Sequence, residues 1–214
     1  MQLQIALDLC TIDEGRALAD ALDDLVDIFE IGTPMILQDG MAAIRAMTAE
    51  GRTLLADTKI VDAGEHEALI AFDAGADLVT VLGVADDATV HGVVSAARAR
   101  SGRVLADLIT IHDVARRAVE LVELGVDLVC VHTAYDRQSS GADPLAELAE
   151  VVAVVGAERC AVAGGLDAAK MPYVAALAPA VAVVGGAVAT SAEPRGTAEE
   201  IRALMAIPEG RNHG

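Results

Sequence analysis

The sequence alternates short aliphatic runs with longer stretches rich in Ala, Leu and Glu, and this alternation constrains the fold more than any other feature. Eight aliphatic runs recur about every 25 residues, which is the spacing expected of βα units. They occupy residues 3–9, 26–31, 53–56, 78–82, 104–108, 128–131, 160–163 and 181–184. Eight such units in 214 residues predict an α/β protein with a single (β/α)8 TIM barrel, and an open doubly wound sheet is the structural alternative.

Glycine positions support the same repeating unit. Gly75 and Gly125 each follow a helix-like stretch and precede an apolar run, within the similar segments 74–77 (AGAD) and 124–127 (LGVD). Glycine favours the left-handed conformation that ends many helices. Helical periodicity is clearest over residues 13–25, 35–50, 64–74 and 114–124. We therefore predict one barrel domain over residues 1–207 and a flexible C-terminal tail over residues 208–214.

The chain is strongly acidic, with a formal net charge of −18 from 15 basic and 33 acidic residues. This charge repels phosphate backbones, so we expect no nucleic-acid partner. It also repels anionic substrates, so a phosphate site has to be a local exception. Backbone N–H groups can provide such a site without a cluster of basic side chains.

The cysteines and the length of the apolar runs predict a cytoplasmic protein. Cys10, Cys130 and Cys160 are odd in number and widely spaced, which favours free thiols over a disulfide framework or a zinc site. No apolar run approaches the roughly 20 residues that span a membrane. The first four residues, MQLQ, lack the pattern of a signal peptide, and we expect no association with a membrane.

Ionisable residues gather where the predicted strands end. Five of the eight runs end in such residues, which are Asp8, Glu30, Asp57 with Lys59, Asp107 and His132. Barrel enzymes place their catalytic groups at the C-terminal ends of the strands, and buried charges are costly unless they are paired. We therefore predict an active site at this end of the barrel. The structural alternative is that each residue only caps the helix that follows it.

The densest group of these residues lies in segment 56–62 (ADTKIVD). In an extended segment Asp57 and Lys59 point to the same side, and Asp62 follows as the chain turns into the next helix. A carboxylate beside an ammonium group keeps both groups ionised, which suits metal ligation and the stabilisation of a developing oxyanion. An ordinary ion pair followed by a helix cap would give the same spacing.

Two pairs of glycines end the last two predicted strands. They are Gly164 with Gly165, and Gly185 with Gly186. Barrels frequently bind phosphate with the loops that follow these two strands, and glycine allows an anion to approach the bare backbone N–H groups closely. The combination predicts a phosphate-binding site.

Segment 57–65 (DTKIVDAGE) resembles the signature of the orotidine 5′-phosphate decarboxylase superfamily. Within it, the chain is most similar to the branch that contains the 3-hexulose-6-phosphate synthases and the 3-keto-L-gulonate-6-phosphate decarboxylases. Similar segments are 3–9 (LQIALDL), 27–34 (DIFEIGTP), 71–87 (AFDAGADLVTVLGVADD), 161–166 (AVAGGL) and 181–188 (VAVVGGAV). The resemblance extends from residue 2 to about residue 205, and it implies a TIM-barrel lyase that acts on a sugar phosphate.

The resemblance implies a role for each residue that matches the branch. Glu30 and Asp57 match the ligands of a Mg²⁺ ion, and their hard oxygen donors suit this metal. Asp8 and Lys59 match a pair that lines the catalytic site, where Lys59 would stabilise an enediolate.

Three further positions match the branch. His132 matches a histidine at the end of strand six, which makes it the candidate acid and base. Asp62 matches a residue that reaches the active site of the neighbouring subunit, which implies an obligate homodimer. Asp107 matches an acidic position of strand five, but the sequence assigns it no role.

Two reactions of the branch remain in competition, together with a non-catalytic phosphosugar-binding protein. The synthase condenses formaldehyde with ribulose 5-phosphate, and the decarboxylase removes CO₂ from a keto-sugar acid phosphate. Tyr135 and Gly186 stand where the decarboxylases tend to carry arginines, which favours the reversible, Mg²⁺-dependent aldol reaction through an enediolate. Ala134 stands where the synthases usually have glycine, and segment 139–143 matches them only loosely. The identity of the electrophile, the direction of the reaction and assembly beyond a dimer therefore stay open.

Overall fold

The fold is a closed barrel of eight parallel strands, seen in a computed structural model that describes residues 1–49, 51–138 and 143–206. The strands are β1 (Gln2–Leu7), β2 (Ile28–Ile31), β3 (Leu54–Ile60), β4 (Leu78–Leu82), β5 (Arg103–Asp107), β6 (Leu128–His132), β7 (Cys160–Ala163) and β8 (Val181–Val184). They pair in chain order, and β8 pairs with β1. The prediction of a single-domain (β/α)8 TIM barrel is confirmed, and the doubly wound alternative is wrong.

Helices connect the strands on the outside of the barrel. They are α1 (Ile12–Leu22), α2 (Thr33–Asp39), α3 (Met41–Met47), α4 (Gly64–Asp73), α5 (Asp87–Arg100), α6 (Val114–Leu124), α7 (Tyr135–Gln138), α8 (Leu145–Val155), α9 (Met171–Leu177), α10 (Gly186–Ala189) and α11 (Pro194–Met205). The single helix predicted over residues 35–50 is wrong, because Gly40, with φ of +60°, separates α2 from α3. Within the described ranges, no helix is long and apolar enough to cross a membrane. The tail predicted over residues 208–214 lies outside the described residues.

Each strand turns every second side chain towards the barrel interior. Near the N-terminal ends of the strands, these positions hold packed aliphatic residues such as Ile28 and Leu78. Two residues further along the same strands they hold Glu30 and Thr80, which are also buried. The alternation that fills the interior therefore also carries polar side chains into it, at the end of the barrel where the strands finish.

Three aspartates close the N-terminal end of the barrel in the same way, and we call them the aspartate clamps. Each precedes an even-numbered strand and accepts a hydrogen bond from a backbone N–H at the start of the preceding strand. The contacts are Asp27 Oδ2 with Leu3 N at 2.7 Å, Asp77 Oδ2 with Leu54 N at 2.8 Å, and Asp127 Oδ2 with Val104 N at 2.8 Å. Two of the clamps end the similar segments 74–77 and 124–127, so the repeated sequence has a repeated structural role.

Strand β3 is longer than predicted and is irregular. It continues to Ile60, and its pairing with β4 shifts register between Ala56 and Ile60. Within this bulge Lys59 adopts φ of +46°, in the left-handed region that L-residues other than Gly rarely occupy. Its backbone N–H donates to Thr80 Oγ1 at 2.8 Å, which holds the bulge in place. Backbone strain of this kind is typical of functional sites.

Candidate active site

Asp57 lies at the centre of a polar group inside the C-terminal end of the barrel, and only 5% of it is exposed. Its Oδ1 atom accepts a hydrogen bond from Thr80 Oγ1 at 2.8 Å. Its Oδ2 atom accepts from Thr33 Oγ1 at 2.9 Å and forms an ion pair with Lys59 Nζ at 2.5 Å. Two hydroxyl groups and one ammonium group therefore fix this carboxylate, and the sequence-based pairing of Asp57 with Lys59 is found in the structure.

Asp107 connects Lys59 to His132. Its Oδ2 atom lies 2.9 Å from His132 Nδ1 and 3.5 Å from Lys59 Nζ, and its Oδ1 atom accepts from Ile109 N at 2.9 Å. A carboxylate that accepts from Nδ1 fixes the orientation of the imidazole ring and leaves Nε2 available to a substrate. The structure thus gives Asp107 the role that the sequence left unassigned, which is to orient His132.

The charges of this array stabilise one another. Burial alone would raise the pKa of Asp107, but the hydrogen bond and charge of His132 and the charge of Lys59 lower it below its ordinary value. Burial likewise acts to lower the pKa of Lys59, yet Asp57 and Asp107 outweigh it and hold that pKa above its ordinary value. Lys59 is therefore a permanent cation between two buried carboxylates.

Asp8 and Glu30 lie on the side of Asp57 where negative charge is in excess. Burial raises the pKa of Glu30 well above its ordinary value, and the charges of Asp57 and Asp8 raise it further. Burial and the charge of Asp57 also raise the pKa of Asp8. Glu30 Oε2 accepts from Gln4 Nε2 at 2.7 Å, while the buried Oε1 atom of Gln4 has no hydrogen-bond partner in the described structure.

The donors on this side of the site fit Mg²⁺ in kind. Glu30 and Asp57 offer carboxylate oxygens. The pKa of Glu30 is raised by burial and by the neighbouring carboxylates, so a cation bound here would stabilise its charged form. No group of three or more His, Cys, Asp or Glu side chains is arranged around one point within the described ranges. That arrangement is compatible with Mg²⁺, which commonly takes one or two protein carboxylates and completes its shell with water and substrate oxygens.

The two glycine pairs line the same end of the barrel. Gly164 and Gly165 have φ of +102° and +66°, and a Cβ atom on Gly164 would lie 2.3 Å from Thr133 O, so this turn requires glycine. Gly185 faces Asp8, and Gly186 begins α10. In the described part of the chain, the N–H groups of all four glycines have no protein acceptor, which leaves them free for an anion.

Asp62 does not join this cluster within one chain. Its side chain is exposed, and its Oδ1 atom accepts from the backbone N–H of Ala63 at 2.7 Å. Among the described residues, no hydrogen bond or ion pair connects it to Lys59 or His132. The prediction that Asp62 acts in a neighbouring subunit therefore stays a prediction.

Among the described residues, polar side chains that were not predicted from the sequence also lie at this end of the barrel. They include Gln4, Thr33, Thr80 and Lys170, whose Nζ atom donates to Gly165 O at 2.8 Å. Two of them carried a readable signal, because Gln4 and Thr80 interrupt otherwise aliphatic strands at inward-facing positions. Thr33 and Lys170 lie in loops or helix starts, where a polar residue is ordinary.

The fold is a closed barrel, with charged residues at its C-terminal strand ends and paired glycines after its last two strands. These features define a class of protein, the barrel enzymes whose active site lies at the C-terminal face. The chain belongs to the orotidine 5′-phosphate decarboxylase / HUMPS family, whose model matches residues 1–201.

Relatives within this family are similar over nearly the whole chain. The 3-hexulose-6-phosphate synthase 3 of Staphylococcus saprophyticus is 41% identical, over 99% of this chain and 100% of that protein. The 3-hexulose-6-phosphate synthase of Bacillus subtilis is 39% identical, over 96% and 99%. The crystal structure of 3-hexulose-6-phosphate synthase from Salmonella typhimurium is 39% identical with a TM-score of 0.92, and the match covers 96% of this chain and 98% of that one. The predicted branch of the family and the prediction of an enzyme of the aldehyde-lyase type are confirmed.

Proposed function

We propose that this chain condenses formaldehyde with ribulose 5-phosphate to give 3-hexulose 6-phosphate, in a reversible reaction that requires Mg²⁺. The observation that carries the proposal is the array in which Lys59 bridges Asp57 and Asp107, and Asp107 orients His132. It provides a fixed cation and a histidine nitrogen at one place in the barrel. The relatives that share the chain's full length are named for this reaction.

The sugar phosphate would bind across the open end of the barrel. The free N–H groups of the two glycine pairs, which are Gly164 with Gly165 and Gly185 with Gly186, bind its phosphate group. Glu30 and Asp57 would hold Mg²⁺, which supplies positive charge to the oxygens of the sugar when it is bound. Asp8 lies beside these ligands, where it can accept a hydrogen bond from a sugar hydroxyl group.

The reaction moves one proton and forms one carbon–carbon bond. His132 Nε2 removes a proton from the carbon next to the ketone of ribulose 5-phosphate, and the electrons of that C–H bond give an enediolate on the sugar. The ammonium group of Lys59 stabilises the negative oxygen. The enediolate carbon then attacks formaldehyde, and the new alkoxide takes a proton from the imidazolium. Reversal of these steps releases formaldehyde.

The active protein would be a cytoplasmic homodimer, in which Asp62 acts across the interface. The side chain of Asp62 is exposed in the single chain, and the neighbouring Val61 is 52% exposed. An exposed aliphatic residue beside an exposed carboxylate is compatible with burial against a second copy.

Formaldehyde consumption with ribulose 5-phosphate tests the proposal. We expect Mg²⁺-dependent consumption by the wild-type protein, and its loss in Asp57→Asn, which keeps the shape of the carboxylate but not its charge. His132→Gln should also lose activity, while the matched variant His112→Gln, at an exposed position of the same rim, should keep it.

The alternatives have their own outcomes. CO₂ release from 3-keto-L-gulonate 6-phosphate, without formaldehyde consumption, would replace the synthase by the decarboxylase. Thermal protection by the sugar phosphate that does not depend on Mg²⁺, without turnover of either substrate, would indicate a binding protein.

A further inference from the structure

The sequence contains only two lysines among its 15 basic residues, and both lie at the C-terminal end of the barrel. The surface ion pairs are made by arginine instead, as in Arg52, Arg100, Arg116 and Arg195. Neither lysine takes part in these surface ion pairs, so the contacts of each have to be explained at the end of the barrel where it lies. Lys59 belongs to the catalytic array, which leaves Lys170 to be explained.

Lys170 lies just before α9, in the turn that follows the first glycine pair. Its backbone N–H donates to Asp167 Oδ1 at 3.0 Å, which fixes the turn. Its Nζ atom folds back and donates to Gly165 O at 2.8 Å. A Cβ atom on Gly165 would lie 3.4 Å from that Nζ atom and 3.3 Å from Gln138 Oε1, so the ammonium group packs directly against the glycine. Gln138 in turn donates to Thr133 O at 3.2 Å.

This contact matters for an anion because the two faces of a peptide group are opposite in charge. The N–H side of the glycine turn attracts phosphate, and the C=O side repels it. An ammonium group on the Gly165 carbonyl fixes the direction of that carbonyl and adds a full positive charge behind the turn. In a chain of net charge −18, this is a local source of the positive potential that a phosphate dianion needs.

We propose that Lys170 is a positioning residue for the substrate phosphate, acting through the carbonyl of Gly165. The proposal rests on the proposed function for the identity of the sugar, while the phosphate chemistry can be tested without turnover. Lys170 does not take part in proton transfer, so it should affect the binding of phosphate groups and leave the chemical step unchanged.

The test compares Lys170→Met with wild-type protein by calorimetry, using inorganic phosphate and ribulose 5-phosphate as separate ligands. We expect both dissociation constants to rise about tenfold in Lys170→Met, because one favourable charge near the anion is lost. In steady-state assays, KM should rise by a similar factor while kcat stays within about twofold. Lys170→Arg, which keeps the charge, should bind both ligands within about threefold of wild type.

Arg100→Met is the matched control, because it removes one positive charge from a surface ion pair at the C-terminal end of α5. It should leave both dissociation constants unchanged. The proposal is overturned if Lys170→Met binds phosphate as wild type does, if Arg100→Met weakens binding equally, or if Lys170→Arg fails to recover binding. If the wild-type protein binds ribulose 5-phosphate but does not consume formaldehyde, the proposed function fails and the calorimetric test of Lys170 still stands.

Discussion

Carboxylates occupy both ends of the barrel, and the two ends surround them with opposite environments. At the N-terminal end, each aspartate clamp receives a backbone N–H hydrogen bond and lies on a different pair of strands. At the C-terminal end, Asp8, Glu30, Asp57 and Asp107 share one ammonium group, that of Lys59. Each clamp has its own N–H donor, and Asp27 also pairs with Arg202, whereas the C-terminal group has more negative charges than positive ones.

The difference separates stability from function. A carboxylate that accepts an N–H hydrogen bond without crowding stabilises the fold, because an otherwise unpaired backbone donor is satisfied. Crowded buried carboxylates oppose folding, as the raised pKa values of Asp8 and Glu30 indicate. The repulsion between them lowers the stability of the folded protein, and a bound cation would reduce it. Such a loss of stability is common at functional sites.

The largest effect is expected from Lys59→Met. It leaves Asp57 and Asp107 buried without their cation, and breaking such a pair typically costs about 3–5 kcal/mol of unfolding free energy. Catalysis should fall by at least about a thousandfold, since the charge that faces the developing oxyanion is gone. Urea unfolding and the formaldehyde assay measure the two losses separately.

Lys59→Arg distinguishes these two roles of the ammonium group. The charge is kept, so most of the stability should return, but the planar guanidinium group does not reproduce the compact geometry and activity should stay low. Full activity in Lys59→Arg would contradict the assignment of a specific position to the ammonium group.

Asp127→Ala acts at the other end and should have an intermediate, purely structural effect. It removes the acceptor of the Val104 N–H, and the loss of this part-buried hydrogen bond costs about 1 kcal/mol. Asp127→Asn keeps an acceptor oxygen and should lose less. Both variants should keep the wild-type kcat and KM at a temperature where they are folded, and a kinetic defect in either would break the separation of the two ends.

Glu30→Gln should have the opposite effects to Asp127→Ala. It should stabilise the Mg²⁺-free protein and abolish activity. Removing one charge from a crowded set relieves repulsion from Asp8 and Asp57, and such a change commonly stabilises a protein by about 1 kcal/mol. The melting temperature at pH 8 without Mg²⁺ measures the gain. A loss of stability in this variant would mean that the Gln4 hydrogen bond outweighs the repulsion.

The same repulsion predicts how stability varies with pH. The folded-state pKa values of Glu30 and Asp8 lie above their ordinary values of 4.5 and 3.8. At a pH between the ordinary pKa and the raised pKa of either group, the folded protein therefore binds more protons than the unfolded chain. Their contribution to stability is therefore lost as the pH rises from these ordinary values through the raised ones. Mg²⁺ should raise the melting temperature more at pH 8 than at pH 5, and Glu30→Gln should flatten the dependence on pH.

The positions of the charged residues could be predicted from the sequence because a strand has a period of two. Asp57 and Asp107 each follow an aliphatic run at an inward position, so the run and the period place both at one end of the barrel. Their roles could not be predicted in the same way. That Asp107 orients His132 depends on a contact between β5 and β6 that no local pattern encodes.

Two other features could not be predicted from the sequence, for different physical reasons. The bulge at Lys59 arises because the Thr80 hydroxyl oxygen accepts a hydrogen bond from the Lys59 backbone N–H across the β3–β4 pair. This contact is a tertiary effect. Lys170 stands in a polar turn, where a lysine is ordinary until its contact with Gly165 O is known. The role of Asp62 stays a prediction, because it depends on a proposed assembly of two chains.

The smallest effect is expected where the pattern of clamps is interrupted. Ala180 precedes β8, the one even-numbered strand whose preceding residue is not an aspartate. The corresponding N–H at the start of β7 is that of Cys160, and it already donates to Ala157 O within a 3₁₀ turn. Ala180→Asp would therefore place a new acceptor beside an N–H that already has one. The unfolding free energy should change by less than about 0.5 kcal/mol. A gain of 1 kcal/mol or more would mean that the added carboxylate, and not the unsatisfied N–H, is what makes a clamp stabilising.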